Sequence, residues 1–315
     1  MNSKKVNWFF LTTILLHVFT VVLVVVFRYV YTLDIITNFV LSSAIIVVPA
    51  LAFSLGSEDR IHWFDKIGFH KIKWSTAAMI AVITFLVMPL TTVINAFSML
   101  FVENTVVQMS GQVLKLPLPA AFFFIAVSAP FFEELVFRGV VYRGYKRSGN
   151  ICQAAVFSAL LFAMGHMNFN QAAYAFVLGI VLVLLVEATG SLWASVIFHM
   201  IFNGYSVVMM YFADRVLQDF YEQDVMEQAG TEEMLYAIGL YLMIAAVTTA
   251  IAICAFVWIA KNEGRTEYLL ASWRERKNGR GRMVTIPFVI GTVLCVLYML
   301  LDAGLMKWIL QTVSR

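Results

Sequence analysis

The chain has 315 residues, of which 61% are hydrophobic and only 13% are charged, and its mean hydropathy is +0.84. This composition excludes a soluble globular protein and indicates an integral membrane protein. The net charge is only +3, and the three cysteines are widely spaced, which excludes a disulfide framework and a thiolate zinc site.

Apolar runs long enough to cross a bilayer recur along the chain, because a helix needs about 20 residues to span the ~30 Å hydrocarbon core. We therefore predict an all-α fold, a polytopic bundle of eight or nine transmembrane helices with no separate soluble domain. The candidate spans are 8–27, 35–55, 76–101, 119–142, 153–167, 171–188, 192–212, 235–260 and 285–310.

The connecting segments differ in basic charge from one side of the membrane to the other. Sixteen Lys and Arg residues lie on the side of the N-terminus and five on the opposite side. The positive-inside rule therefore predicts a cytoplasmic N-terminus, nine crossings and an external C-terminus. The acidic stretch 214–233 would then be external, and the aromatic and basic stretch 58–75 would lie at the membrane surface. The basic stretch 265–282 lies between two spans, so we expect anionic lipid there rather than nucleic acid.

Three charged residues, Glu133, Glu134 and Arg138, interrupt the fourth predicted span. An ionisable side chain deep in a bilayer costs at least ~2.5 kcal/mol, so these residues require partners or a water-filled cavity. On an α-helix Glu134 and Arg138 lie four apart on one face and can form an ion pair. Glu133 points about 100° away, which makes it the better candidate for a general base. The alternative is a buried ion network that only holds helices together.

Two further polar sites lie in apolar surroundings. Phe162 and His166 end the fifth predicted span, and His199 and Asn203 lie four apart on one face of the seventh. Two neutral imidazoles and a carboxylate are a workable zinc set. The same groups without a metal can polarise a carbonyl while a glutamate activates water. Both alternatives indicate hydrolysis.

These three elements together resemble the motifs of the CAAX-protease and bacteriocin-processing (CPBP) family of intramembrane proteases. The family includes Abi-like bacterial proteins and the eukaryotic Rce1-type CAAX endopeptidase. Its first motif, two glutamates, three residues and an arginine, is matched by Glu133, Glu134 and Arg138. The other two motifs, Phe with His four residues on and His with Asn four residues on, are also present. The resemblance covers about 119–212.

The resemblance implies a helical bundle that encloses a polar cavity, with 119–212 as catalytic core between helices at 1–118 and 213–315. It implies an intramembrane (metallo)endopeptidase, similar to CAAX prenyl protease 2, in the bacterial cell membrane. Its substrates would be peptides or membrane proteins, and peptide processing or bacteriocin immunity are the associated roles. Zinc is the implied cofactor, bound by His166 and His199 with Glu133 or Glu134, although a metal-independent glutamate mechanism stays open. The implied catalytic residues are Glu133, Glu134, His166, His199 and Asn203, supported by Arg138 and Phe162.

Two other classes of protein fit parts of this pattern. A transporter or regulatory membrane protein could use the same Glu, Arg and His side chains as a proton relay or as structural ion pairs. A degenerate family member could bind peptides without cutting them. The complete motif set favours the peptidase over both alternatives.

Overall fold

The computed structural model describes residues 2–27, 34–55, 67–102, 104–217, 231–275 and 281–304. Every regular element in these ranges is helical, which confirms the predicted all-α class. The helices are α1 (Ser3–Phe27), α2 (Ile35–Leu55), α3 (Trp74–Ser98), α4 (Thr105–Val113), α5 (Leu118–Lys146), α6 (Ile151–Gly165), α7 (Phe169–Thr189), α8 (Leu192–Leu217), α9 (Thr231–Asn262), α10 (Thr266–Arg274) and α11 (Ile286–Asp302).

Seven of the described helices are long and apolar enough to cross a membrane: α1, α2, α3, α5, α7, α8 and α9. The fifth and ninth predicted spans correspond to α6 and α11, which have only 15 and 17 residues. A helix of 15 residues extends about 22 Å, less than the thickness of the hydrocarbon core. The protein is an integral membrane protein, whereas nine full crossings and the cytoplasmic N-terminus stay predictions.

Some of the sequence-based expectations lie wholly or partly outside the described residues. They are the surface segment at 58–66, most of the acidic stretch 214–233, residues 276–280 of the basic stretch and the end of the ninth span after residue 304. Two short helices within the described chain, α4 and α10, were not predicted at all. Helix α10 is amphipathic and has no buried residue, which fits a segment at the membrane surface.

The charged motif lies on a helix that is not uniformly α-helical. In α5, π-helical segments at Phe122–Ser128 and Leu135–Tyr142 flank the α-helical segment Ala129–Glu134, which carries both glutamates. A π-helical turn accommodates an extra residue and is frequent at functional sites. The sequence indicated helix throughout this region but not the change in winding.

Helices α5, α6 and α7 pack closely around Arg138. A Cβ on Gly179 of α7 would lie 2.8 Å from the Ala159 backbone of α6, so only glycine permits this approach of the two helices. The α7 helix ends at Thr189, and the next residue, Gly190, has a φ of +73° and starts the turn into α8. Small residues at these two positions thus bring the motif helices together.

Candidate active site

The centre of the site is a buried ion pair within α5. Arg138 Nη1 donates to Glu134 Oε1 at 2.8 Å, and both side chains have no exposed surface. Arg138 Nη2 also donates to the Gly179 carbonyl of α7 at 3.4 Å. The guanidinium lies 4.2 Å from the centre of the Phe162 ring, within range of a cation–π interaction. The i,i+4 pair expected from the sequence is confirmed.

His199 of α8 is held by the same carboxylate. Its Nδ1 lies 2.9 Å from Glu134 Oε1, and only 5% of the residue is exposed. Because an ionised carboxylate only accepts hydrogen bonds, Nδ1 carries the hydrogen of this bond. The neutral imidazole is therefore the tautomer with Nε2 as a free acceptor.

Glu133 lies on the other side of this imidazole. Its Oε2 is 3.8 Å from His199 Nε2, beyond hydrogen-bond length, and 27% of its side chain is exposed. Glu133 and His199 both line a cavity of about 420 Å³. The two neighbouring glutamates thus have different surroundings: Glu134 is enclosed, and Glu133 faces an open space large enough for a ligand.

His166 and Asn203 line the same cavity. His166 follows the end of α6, and its Nδ1 lies 2.9 Å from the Phe162 carbonyl, so Nδ1 donates and Nε2 is left as an acceptor. Asn203 Nδ2 donates to the Ile125 carbonyl at 3.0 Å, which uses one of its two N–H groups. The Phe162 ring stands edge-on to both imidazoles, 4.9 Å from His166 and 5.8 Å from His199.

The structure therefore brings all the residues of the three motifs together from α5, α6 and α8. Glu133, His166, His199 and Asn203 line the cavity together with Phe162, while Glu134 and Arg138 lie behind His199. Within the described ranges, no three His, Cys, Asp or Glu side chains lie close enough to hold a metal ion. The individual donors have the right chemistry for zinc, but their positions do not form the predicted three-ligand set.

Residues outside the three motifs also line the cavity. Helices α1 and α2 contribute apolar side chains and a few polar ones, among them His17, Ser42 and Ser43. Helix α7 contributes Gln171 and Tyr174. Serine and glutamine carried no signal in the sequence that could separate them from packing residues, whereas His17 lies in a predicted span and the cost of burying an ionisable side chain applies to it.

A second buried carboxylate was also missed. Glu187 of α7 is 4% exposed, and its Oε1 accepts from Tyr142 at 2.8 Å and from Lys146 at 2.6 Å. Its Oε2 accepts from Tyr268 of α10 at 2.7 Å. The signal was available, because Glu187 lies in a predicted span and the cost of burying charge applies to it as well.

Comparisons with known proteins agree with the motifs. Residues 115–205 match the family model described as type II CAAX prenyl endopeptidase Rce1-like. The chain is 29% identical over 113 residues to the membrane-embedded CAAX protease MroQ of Staphylococcus aureus (strain USA300). This alignment covers 34% of the chain and 45% of that relative. No solved structure matches. These findings confirm the resemblance of the central segment to the Rce1-like CAAX-protease family.

Proposed function

We propose, from the Rce1-like character of residues 115–205, that the protein is an intramembrane endopeptidase that hydrolyses a peptide bond with glutamate-activated water. One observation carries the proposal. The Glu133 side chain is partly exposed in a cavity, and its Oε2 lies 3.8 Å from the free Nε2 of His199. The tautomer of this imidazole is fixed by the hydrogen bond between its Nδ1 and Glu134. A carboxylate beside an oriented histidine in a cavity is an arrangement suited to general-base catalysis.

In the proposed reaction, Glu133 removes a proton from a water molecule in the cavity. The water oxygen attacks the carbonyl carbon of the scissile bond, and the carbonyl oxygen becomes negatively charged. When the C–N bond breaks, the proton held by Glu133 passes to the leaving amine. His199 Nε2 orients the water, and the second N–H of Asn203 donates to the charged oxygen.

Glu134 and Arg138 act indirectly in this proposal. The Glu134 carboxylate holds His199 in one tautomer, much as the buried Asp does in a Ser-His-Asp triad. Arg138 balances the charge of that carboxylate, which would otherwise be buried without a counterion. Phe162 packs against both imidazoles and the guanidinium, so it restricts the positions of these three side chains.

Zinc remains part of the proposal only as a prediction. His166 and His199 each have Nε2 available, and a bound zinc ion would lower the pKa of a water ligand. Glu133 is the more suitable carboxylate, because Glu134 Oε1 already accepts from Arg138 and His199. The proposed reaction uses the protein's own side chains, because the described side chains do not form a three-ligand group.

The proposed substrate is a peptide or a membrane protein. The alignment with the curated relative spans less than half of that relative's length, so substrate class is a separate hypothesis. We propose the bacterial cell membrane as the location, with the N-terminus in the cytoplasm. Bacteriocin immunity is one of the associated roles to be tested.

The proposal can be tested with purified protein reconstituted in vesicles and a peptide panel that includes prenylated CAAX peptides and their unmodified counterparts. We expect cleavage of at least one peptide by the wild type. Metal content and rate should be measured before and after treatment with a chelator. Full activity in metal-free protein would overturn the zinc prediction. The absence of cleavage across the panel, in protein that is folded, would favour a transporter or a peptide-binding protein instead.

A further inference from the structure

Helix α1 brings a third histidine to the cavity. His17 lies in a helix long enough to span the membrane, is half-buried, and lines the cavity together with Glu133, His166 and His199. Its ring packs edge-on against Tyr298 of α11, with the ring centres 5.4 Å apart. Among the residues that the structure describes, none forms a hydrogen bond with either ring nitrogen. Because an imidazole inside a membrane is costly, these nitrogens require partners that bind in the cavity.

Helix α2 adds two serines to the same lining. Ser42 and Ser43 line the cavity, and neither hydroxyl forms a hydrogen bond within the described part of the chain. A helical hydroxyl can instead bond to the carbonyl of the preceding turn, as Thr13 of α1 does at 3.0 Å. Phe39, one turn before Ser43, stacks on Phe124 of α5 with ring centres 6.3 Å apart. This contact packs α2 against the helix that carries the proposed base.

The three side chains, which we call the α1–α2 wall, suit the backbone of an unwound peptide. A peptide must leave its helical structure before water can reach a carbonyl carbon, and lipid offers no partner for the N–H and C=O groups that are then released. A neutral imidazole and a hydroxyl each provide a donor and an acceptor for such groups. Of the described residues that line the cavity, Glu133 is the only Asp, Glu, Lys or Arg. Charged substrate side chains would therefore find no counterion there except the proposed base.

We infer that the α1–α2 wall binds the backbone of the substrate, with His17 as the principal substrate-binding residue and Ser42 and Ser43 as further partners. The bound segment of the substrate is extended and has no charged side chain. The inference rests on the proposed peptidase function and deepens it. Helices α1 and α2 lie outside residues 115–205, so this role belongs to the N-terminal helices and not to the segment that matches the family model.

The test compares His17→Phe with the wild type on a peptide that the wild type cleaves. Phenylalanine keeps a ring that can pack against Tyr298 but removes both nitrogens. Loss of a hydrogen bond to an uncharged group typically weakens binding by about three- to tenfold. We therefore expect KM to rise by about this factor, while kcat stays within about twofold of the wild type and the melting temperature is unchanged. Ser43→Ala should change KM in the same direction.

Two matched controls make the same chemical changes outside the cavity. His70→Phe alters an exposed histidine that precedes α3. Ser54→Ala alters a serine of α2 whose hydroxyl donates to the Leu51 carbonyl at 3.0 Å. Neither residue lines the cavity, so both variants should cleave the peptide with the KM and kcat of the wild type.

Peptides that contain one ester bond separate backbone binding from a change in the shape of the cavity. An ester in place of an amide removes one N–H, and it is moved through the positions beside the scissile bond. At the position that His17 contacts, the ester should raise KM for the wild type, and His17→Phe should add little to that increase. An equal effect of His17→Phe on every ester peptide, or a wild-type KM in this variant, would overturn the inference and leave the peptidase proposal standing. A loss of kcat of about 100-fold at unchanged KM would also overturn it, because His17 would then act in the chemical step. No cleavage by the wild type would overturn both proposals.

Discussion

Glu134 and Glu187 are both buried carboxylates, but their surroundings differ. Around Glu187, both oxygens accept from side chains, from Tyr142 and Lys146 on one oxygen and Tyr268 on the other. Around Glu134, one oxygen accepts from Arg138 and from a histidine that lines a cavity. The Glu187 cluster joins α5, α7 and α10, whereas the Glu134 cluster lies next to the cavity lined by Glu133 and His199.

Buried charge alone therefore does not identify a catalytic site in a membrane helix. Both clusters satisfy the requirement that a charge in the membrane be paired. The Glu134 cluster differs because Glu133 lies beside it with 27% of its side chain exposed. Glu133 Oε2 is 3.8 Å from His199 Nε2, which is beyond hydrogen-bond length. We therefore expect mutations at the two clusters to separate into losses of stability and losses of activity.

The largest expected effect is that of Arg138→Ala. This substitution leaves Glu134 charged and buried without its counterion, which typically costs about 3–5 kcal/mol. Purified yield, melting temperature and cleavage should all fall together. Arg138→Lys tests the geometry, because a lysine keeps the charge but cannot reach Glu134, Gly179 and the Phe162 ring at once. A melting temperature equal to that of the wild type in Arg138→Ala would show that the pair is not a structural support.

A smaller effect, of a different kind, is expected for Glu187→Gln. The glutamine keeps the shape but weakens the bonds from Lys146, Tyr142 and Tyr268, and hydrogen bonds to a charged group contribute about 1.5–3 kcal/mol each. Lys146 is partly exposed, so water compensates for part of this loss. The melting temperature should fall while kcat stays within about threefold of the wild type. A large loss of kcat at unchanged stability would show that Glu187 takes part in catalysis and would contradict its purely structural role.

The sequence predicted the class of fold and the motif residues that the structure brings to one cavity, and the reasons are physical, whereas the catalytic roles of these residues stay predictions. Charges and imidazoles are costly in apolar runs, so these side chains stand out in the sequence. Positions four apart share a helical face, which places Glu134 beside Arg138 and His199 beside Asn203. The meeting of α5 with α8 was not derivable from composition or spacing, because it depends on tertiary packing and on turns such as the one at Gly190.

Other features carried too weak a local signal to be predicted. The π-helical turns of α5 result from the packing of its neighbours, and the sequence there reads as an ordinary apolar helix. The cavity lined by Glu133 depends on tertiary packing, because it is formed by six helices, including α1 and α2. Glu187 is different, since its charge within a predicted span is visible in the sequence.

The central claim is that Glu133 is the catalytic base and that Glu134 and Glu187 are not. The most direct test measures cleavage rate and melting temperature for Glu133→Gln, with Glu187→Gln as the control that makes the same chemical change at the other cluster. Loss of general-base help typically lowers the rate by about 100-fold or more. We predict this loss for Glu133→Gln at the wild-type melting temperature, because Glu133 makes no strong bond that the fold requires. Cleavage by Glu133→Gln at the wild-type rate would contradict the account.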